Sequence, residues 1–383
     1  MNTVPVSIPV LKWAASRALL SDAEMEIRFR KWPLWLSGEA LPTLKQLEEF
    51  SHLTHTPFGY FFLPGPPTIT LPIPDFRTHL NKELHEPSTA LLDTIYLCQQ
   101  RQDWFREYAL LHGFEPIHFV GSAKVSDDPN IVAAKMRKIL SLTPGDRSET
   151  ATWTDALRQL IAKAEAAGVL VMASSIVGSN SHRKLDTREF RGFALADEHA
   201  PLVFLNAADS KAAQMFTLAH ELAHILLAES GISDPEAGML PELQVERWCN
   251  RVAAELLLPM DELHTLHNPD LSIEEEMQRL ARFFKVSTLV VLRRLFEAGL
   301  IEREILGRCY RNELDRILAL EVGKTGGGDF YRTLGARTGK RFARAVLSST
   351  LEGQTLFSEA FRLLGVRKSA TFYEAAHELG VMP

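Results

Sequence analysis

The stretch FTLAHELAHILL, residues 216–227, decides how this chain is read. His220 and His224 stand four apart, so on a helix of about 3.6 residues per turn they share one face and can hold one ion between them. Neutral imidazoles at this spacing suit Zn²⁺. Glu221 directly follows the first histidine, within reach of a water at that ion, and the whole reads H-E-x-x-H, a pattern whose chemistry is metal-assisted amide hydrolysis. The flanks Leu218, Ala219, Leu222, Ala223, Ile225, Leu226 and Leu227 require the helix to be buried. Two histidines and a glutamate on a buried helix are costly unless something pairs with them.

Such a site needs a third protein ligand. The next helical stretch, VERWCNRVAAELLLP (245–259), ends at a proline and offers Glu246 and Glu255. Glu246 shares a face with Asn250 and is the expected ligand, with Asn250 as its supporting partner. Glu255 is the alternative, His264 and His267 read as surface residues, and Cys249 reads as packed. His182, in the polar stretch 179–184, is the candidate further donor to the developing oxyanion. Arg191, in the strand-like FRGFAL, could orient a carboxylate, and that strand could pair with an extended peptide.

Around this centre, apolar periodicity predicts helices over 10–20, 43–55, 88–114, 128–140, 152–167, 210–228 and 242–257. Short apolar runs at 168–172, 190–195 and 202–205 predict strands, the last two joined by a polar turn. Residues 272–301 read as a pair of helices, either a packed hairpin or a winged-helix-like module. Proline-rich FFLPGPPTITLPIPDF, residues 61–76, reads as an extended connector. The expected class is α+β, mainly helical, with a small antiparallel sheet packed on the HExxH helix and helical domains on either side. The domain limits expected are 1–65, 66–150, 151–265, 266–323 and 324–383.

TLAHELAH followed by ERWCNRVAAELLLP resembles the ImmA/IrrE family of zinc metallopeptidases, and the resemblance runs over roughly 160–305, including the strand text at 180–216. It implies a gluzincin-like arrangement in which His220, His224 and Glu246 bind Zn²⁺ and Glu221 is the general base. It further implies limited cleavage of a helix-turn-helix repressor, controlling stress-response or mobile-element genes. Residues 9–64 resemble the Xre-like helix-turn-helix that some members carry, although SDAEMEIRFRKWP (21–33) is short for a second helix plus a recognition helix. The whole arrangement also resembles predicted antitoxin components of two-gene modules, which would make the chain a binder of a toxin partner or of DNA.

Composition narrows the classes. The chain has 383 residues, 46% hydrophobic and 23% charged, with a net charge of −6, which suits a folded globular protein and excludes a wholly basic nucleic-acid coat. Residues 1–43 carry five basic and four acidic side chains, a poor footprint for phosphates. No apolar run approaches the ~18 residues of a membrane span. Three widely spaced cysteines and an N-terminus without secretory features lead us to expect a reducing cytoplasm and no disulfide framework. Residues 324–373 hold nine basic and three acidic residues. With Gly326-Gly327-Gly328 read as a hinge, they are expected to form a separate basic helical unit for an acidic protein or nucleic-acid partner.

Overall fold

The structure, a computed structural model, describes residues 3–18, 20–76, 87–143, 145, 148–233, 243–320 and 330–382, except for the side chains at 317–320 and 330–333. The triple glycine lies outside the described residues. The chain divides into two compact units, residues 1–72 with 82–96, and residues 73–81 with 97–383.

In the first unit lie α1 (Ile8–Arg17), α2 (Asp22–Arg28), α3 (Trp32–Ser37) and α4 (Leu44–Thr54), followed by a short 3₁₀ turn at Phe58–Phe62. Capping boxes start two of these helices: Ser21 with Glu24, and Thr43 with Gln46. An aromatic cluster of Phe29, Trp32, Trp35, Phe50 and Phe61 fills the core, with Trp32 stacked on Phe50 at 5.5 Å. The irregular stretch 21–33 thus resolves into two helices of seven and six residues, α2 and α3, the second starting at Trp32.

Helix α5 (Thr89–Leu111) leads into the second unit, which continues through α6 (Pro129–Ile139), α7 (Trp153–Ala166), β1 (Leu170–Ser174), β2 (Ile176–Val177), β3 (Asn180–Lys184), β4 (Gly192–Leu195) and β5 (Leu202–Asn206). Next come α8 (Lys211–Leu227), β6 (Gly231–Ser233), α9 (Gln244–Leu257), α10 (Met260–Leu266), α11 (Ile273–Phe284), α12 (Thr288–Glu297) and α13 (Arg303–Leu320). The C-terminal helices are α14 (Phe330–Thr338), α15 (Lys340–Leu351), α16 (Phe357–Leu364) and α17 (Ser369–Glu378). The class is α+β and mainly helical, as the periodicity predicts.

The main sheet runs β1-β5-β4-β6. It departs from the expected antiparallel sheet in one pairing: β1 and β5 are parallel, Leu170 opposite Leu202, while β4 is antiparallel to both β5 and β6. The crossover from β1 to β5 gives the chain room for that direction, and all five residues of β5 are buried. A separate hairpin, β2–β3, occupies the stretch 179–184 that reads as a loop; its polar text carries no apolar alternation to betray a strand.

Helix α8 is the hub. Ser210 caps its N-terminus by accepting from the amide of Ala213, and Ala228, left-handed at φ 54°, ends it. Every residue from Gln214 to Leu226 is buried, on β4 and β5 along one side and α7 and α9 along others. Burying each of its leucines and isoleucines contributes roughly 1.5–3 kcal/mol. Gly192 permits the closest approach: a Cβ there would meet Thr217 Cγ2 at 2.5 Å and the Phe204 carbonyl at 2.9 Å.

Two expectations change in the C-terminal half. Among the described residues, 266–320 contain helices and no strand, so there is no wing. The basic tail does not stand apart either, because α14 and α15 pack on β1. Gly339 lies so close to β1 that a Cβ would meet the Val171 carbonyl at 2.8 Å. The buried Arg101 guanidinium donates to the carbonyls of Leu363 (3.0 Å) and Arg337 (3.4 Å), and the Arg341 amide donates to Glu165 at 3.0 Å. Charge counting overlooks this because Arg337, one of the tail's cations, is itself buried.

Candidate metal centre

The histidine spacing does what the helix geometry requires. His220 and His224 project from one face of α8, and their Nε2 atoms lie 3.1 Å apart. Glu246, in the first turn of α9, reaches both: Oε2 is 3.2 Å from His220 Nε2, and Oε1 is 3.0 Å from His224 Nε2. One ligand atom from each of the three residues lies within 4.8 Å of the others, and all three residues are buried. Asn250, one turn along α9, lies beneath His220, its Oδ1 2.9 Å from Nδ1. An amide oxygen only accepts, so His220 Nδ1 carries the ring proton and its Nε2 presents a bare lone pair to the cluster.

That arrangement brings two imidazole nitrogens and a carboxylate to one buried point. Burial opposes it, but the two histidines hold the Glu246 carboxyl down to about 2, so it is ionised. Burial pushes the pKa of His224 below the usual histidine range, against the pull of Glu246, favouring the neutral ring a metal needs. Two imidazole nitrogens and a carboxylate are a donor set for a divalent transition metal, with room for a further ligand.

Glu221 sits beside this set with both carboxylate oxygens buried and accepting no hydrogen bond. Burial first and the Glu246 charge second push its pKa well above the carboxylate range, opposed by the nearby Ser233 hydroxyl. A carboxyl so raised holds a proton more tightly than a solvated one, which suits it to accepting one. A Cβ on Gly192 would stand 3.2 Å from Glu221 Oε1, so the glycine also keeps space around the base.

Other candidates lie elsewhere. Glu255 is buried but is taken by the guanidinium of Arg294, with Arg137 at 3.8 Å, and it accepts from the Met260 amide at 3.2 Å. His182 is exposed on β3 and is not in the three-residue cluster. Arg191 pairs with Asp209 at 2.9 Å. Its strand, β4, is bonded on both sides by β5 and β6, so no peptide can add to it along the paired residues. His267 pairs with Glu276 at 3.2 Å, His264 is exposed, and Cys249 is packed, its thiol pushed well up by burial.

The sequence reading missed two neighbours. Ser233 on β6 is fully buried, with Oγ 3.2 Å from His224 Nε2. Phe76 lies flat on the His224 ring, centroids 5.3 Å apart and planes 3° from parallel. A three-residue strand shows no periodicity, and Phe76 ends a proline-rich run that predicts only extension.

Residues 164–296 match the family model of the IrrE N-terminal-like domain, a peptidase family designated M78. Residues 338–378 match that of a domain of unknown function (DUF8813). Comparison with curated proteins finds no match.

Proposed function

With residues 164–296 a metallopeptidase-type domain of the ImmA/IrrE family, we propose that this chain is a zinc-dependent endopeptidase that makes a limited cut in a regulatory protein, a helix-turn-helix repressor being the substrate class. The observation that carries the chemistry is the convergence of His220, His224 and Glu246 on one buried point beside the buried Glu221 carboxyl. The repressor as substrate is supported by the family resemblance alone.

Zinc held by these three residues would lower the pKa of a water towards about 7 and polarise the scissile carbonyl. The protein's own groups do the rest. Asn250 fixes the His220 tautomer, so that Nε2 points at the metal position. Glu221 takes the water's proton on a carboxylate oxygen and delivers it to the departing amide nitrogen. Its raised pKa makes it a stronger base than a solvated carboxylate, and its seat on the buried face of α8 keeps it from bulk water.

The test is co-expression of the full chain with candidate repressors, wild type against Glu221→Gln, with mass spectrometry of the partners. A defined fragment that forms with wild type and is absent with the variant supports the reading. Identical partner masses with both proteins, each loaded with one zinc, would overturn it.

A further inference from the structure

The metal centre has no way in: His220, His224 and Glu221 are fully buried and Glu246 nearly so. A polypeptide substrate cannot reach them until something covering them moves. Its neighbours α8, α9 and β4 are each tied into the core along their lengths. Among the described residues the exception is Ile73–Phe76.

This short segment lies along the outer edge of β6. The Ile232 amide donates to the Pro74 carbonyl at 3.0 Å, and the Phe76 amide donates to the Ile232 carbonyl at 2.9 Å, an added parallel strand with Asp75 opposite Ile232. Phe76 then reaches over the edge and covers His224. Gly231 is what lets it lie there, since a Cβ would meet Phe76 Cε2 at 2.2 Å and Cδ2 at 2.4 Å. The attachment is slight. Pro74 turns its nitrogen towards β6 but has no hydrogen to give, so the ladder ends there. The run before it, TITLPIP, favours extended backbone, ready to lie down as a strand or to lift away.

Extended peptides bind sheet edges through main-chain hydrogen bonds, and here the edge beside the catalytic groups presents one residue's amide and carbonyl, those of Ile232. We propose that the outer edge of β6 is the strand-docking edge for the polypeptide substrate of this centre, and that Ile73–Phe76 is its resident occupant, an internal strap that must leave before a substrate strand pairs with Ile232. The inference rests on the metallopeptidase reading and assigns that site its peptide-binding edge and its cover. The augmentation surface expected on β4 moves out by one strand, to the far side of β6.

The test uses full-length protein loaded with Co²⁺, whose visible spectrum reports ligands reaching the metal, with acetohydroxamate as the probe. Phe76→Ala removes the cover; Gly231→Ala pushes the ring off without altering it. Both should take up one Co²⁺ per chain and bind acetohydroxamate at least tenfold faster than wild type. A synthetic peptide of residues 68–76, TITLPIPDF, added to the Phe76→Ala protein should slow that access again. Hydrogen exchange supplies a readout free of metal and of mutation: in wild type the Ile232 amide should exchange at least tenfold faster than the amides of β5. Wild-type access rates in both metal-loaded variants, or Ile232 exchange as slow as that of β5, would overturn the strap. Failure of wild type to bind Co²⁺ or Zn²⁺ would instead overturn the metallopeptidase reading, and metal analysis separates the two.

Discussion

Replacing Glu255 by alanine and, separately, Glu246 by alanine should be told apart by zinc affinity. Both are buried on α9, and nine residues at about 100° each put them on opposite sides of it. Glu255 neutralises Arg294, whose side chain is only 5% exposed. Breaking a buried pair from one side costs about 3–5 kcal/mol, because the remaining charge stays out of water. Glu297, 3.2 Å from Arg294, offsets part of that, which places the cost near the lower figure. At about 2 °C per kcal/mol for a unit of this size, Tm should fall by roughly 6 °C, with zinc affinity unchanged. Glu246→Ala should act first on zinc binding. Structural zinc sites bind with about 10–16 kcal/mol shared over four ligands, so one lost ligand is worth about 3 kcal/mol, a loss of 100-fold or more in affinity. The metal-free variant also loses the histidine pairing that holds the Glu246 carboxyl down to about 2, so its Tm should fall as well, and zinc affinity is what separates the two variants. Competition with a chromophoric chelator gives the affinities, and calorimetry of metal-free and zinc-loaded protein gives Tm. Zinc lost from Glu255→Ala and kept by Glu246→Ala would refute the assignment of the third ligand.

Three further outcomes follow from the same geometry. Asn250→Ala should weaken zinc binding about 10–100-fold by freeing the His220 ring, and chelator competition giving wild-type affinity would remove Asn250 from the centre. Arg101→Leu leaves the Leu363 and Arg337 carbonyls without their donor, at about 1–3 kcal/mol each, so thermal melts should show a clear loss of stability; an unchanged Tm would detach the tail from the sheet. The pKa of Glu165 is raised by burial, against the Arg341 and Lys340 amides that favour its ionised form. A carboxyl raised in the fold contributes stability that is complete below its unfolded pKa of about 4.5 and is lost as pH rises through the folded value. Glu165→Gln should therefore raise Tm at pH 8 and leave it unchanged at pH 4, and a fall at pH 8 would contradict the sign.

How far the sequence could be read depended on what each residue's neighbours were. The HExxH helix is legible because its apolar flanks repeat at the helical period and its polar residues have no reason to be buried without a metal. Glu246 is legible because Asn250 shares its face; Glu255 competes on paper only because Arg294 lies 39 residues away and cannot be seen. The direction of β1 against β5 is hidden, since an apolar run of five fixes burial and not its partner. Gly231-Ile232-Ser233 is too short to show a period, and Phe76 acquires its place only from contact with a glycine 155 residues later. The tail misleads because summed charge counts buried and solvated cations alike.

The anchoring of α14 and α15 on β1 also sets an order in which the fold can be assembled during synthesis. Helix α9 ends at Leu257, and the helices that pack on β1 end at Leu351, 94 positions later. At translation rates of about 5–20 residues per second, Leu257 is made some 5–19 s before the last of those helices. During that interval β1 has one face bare and Arg101 has no carbonyls to hold. A growing chain therefore carries His220, His224 and Glu246 before the helices that pack on β1 exist to complete the scaffold around them.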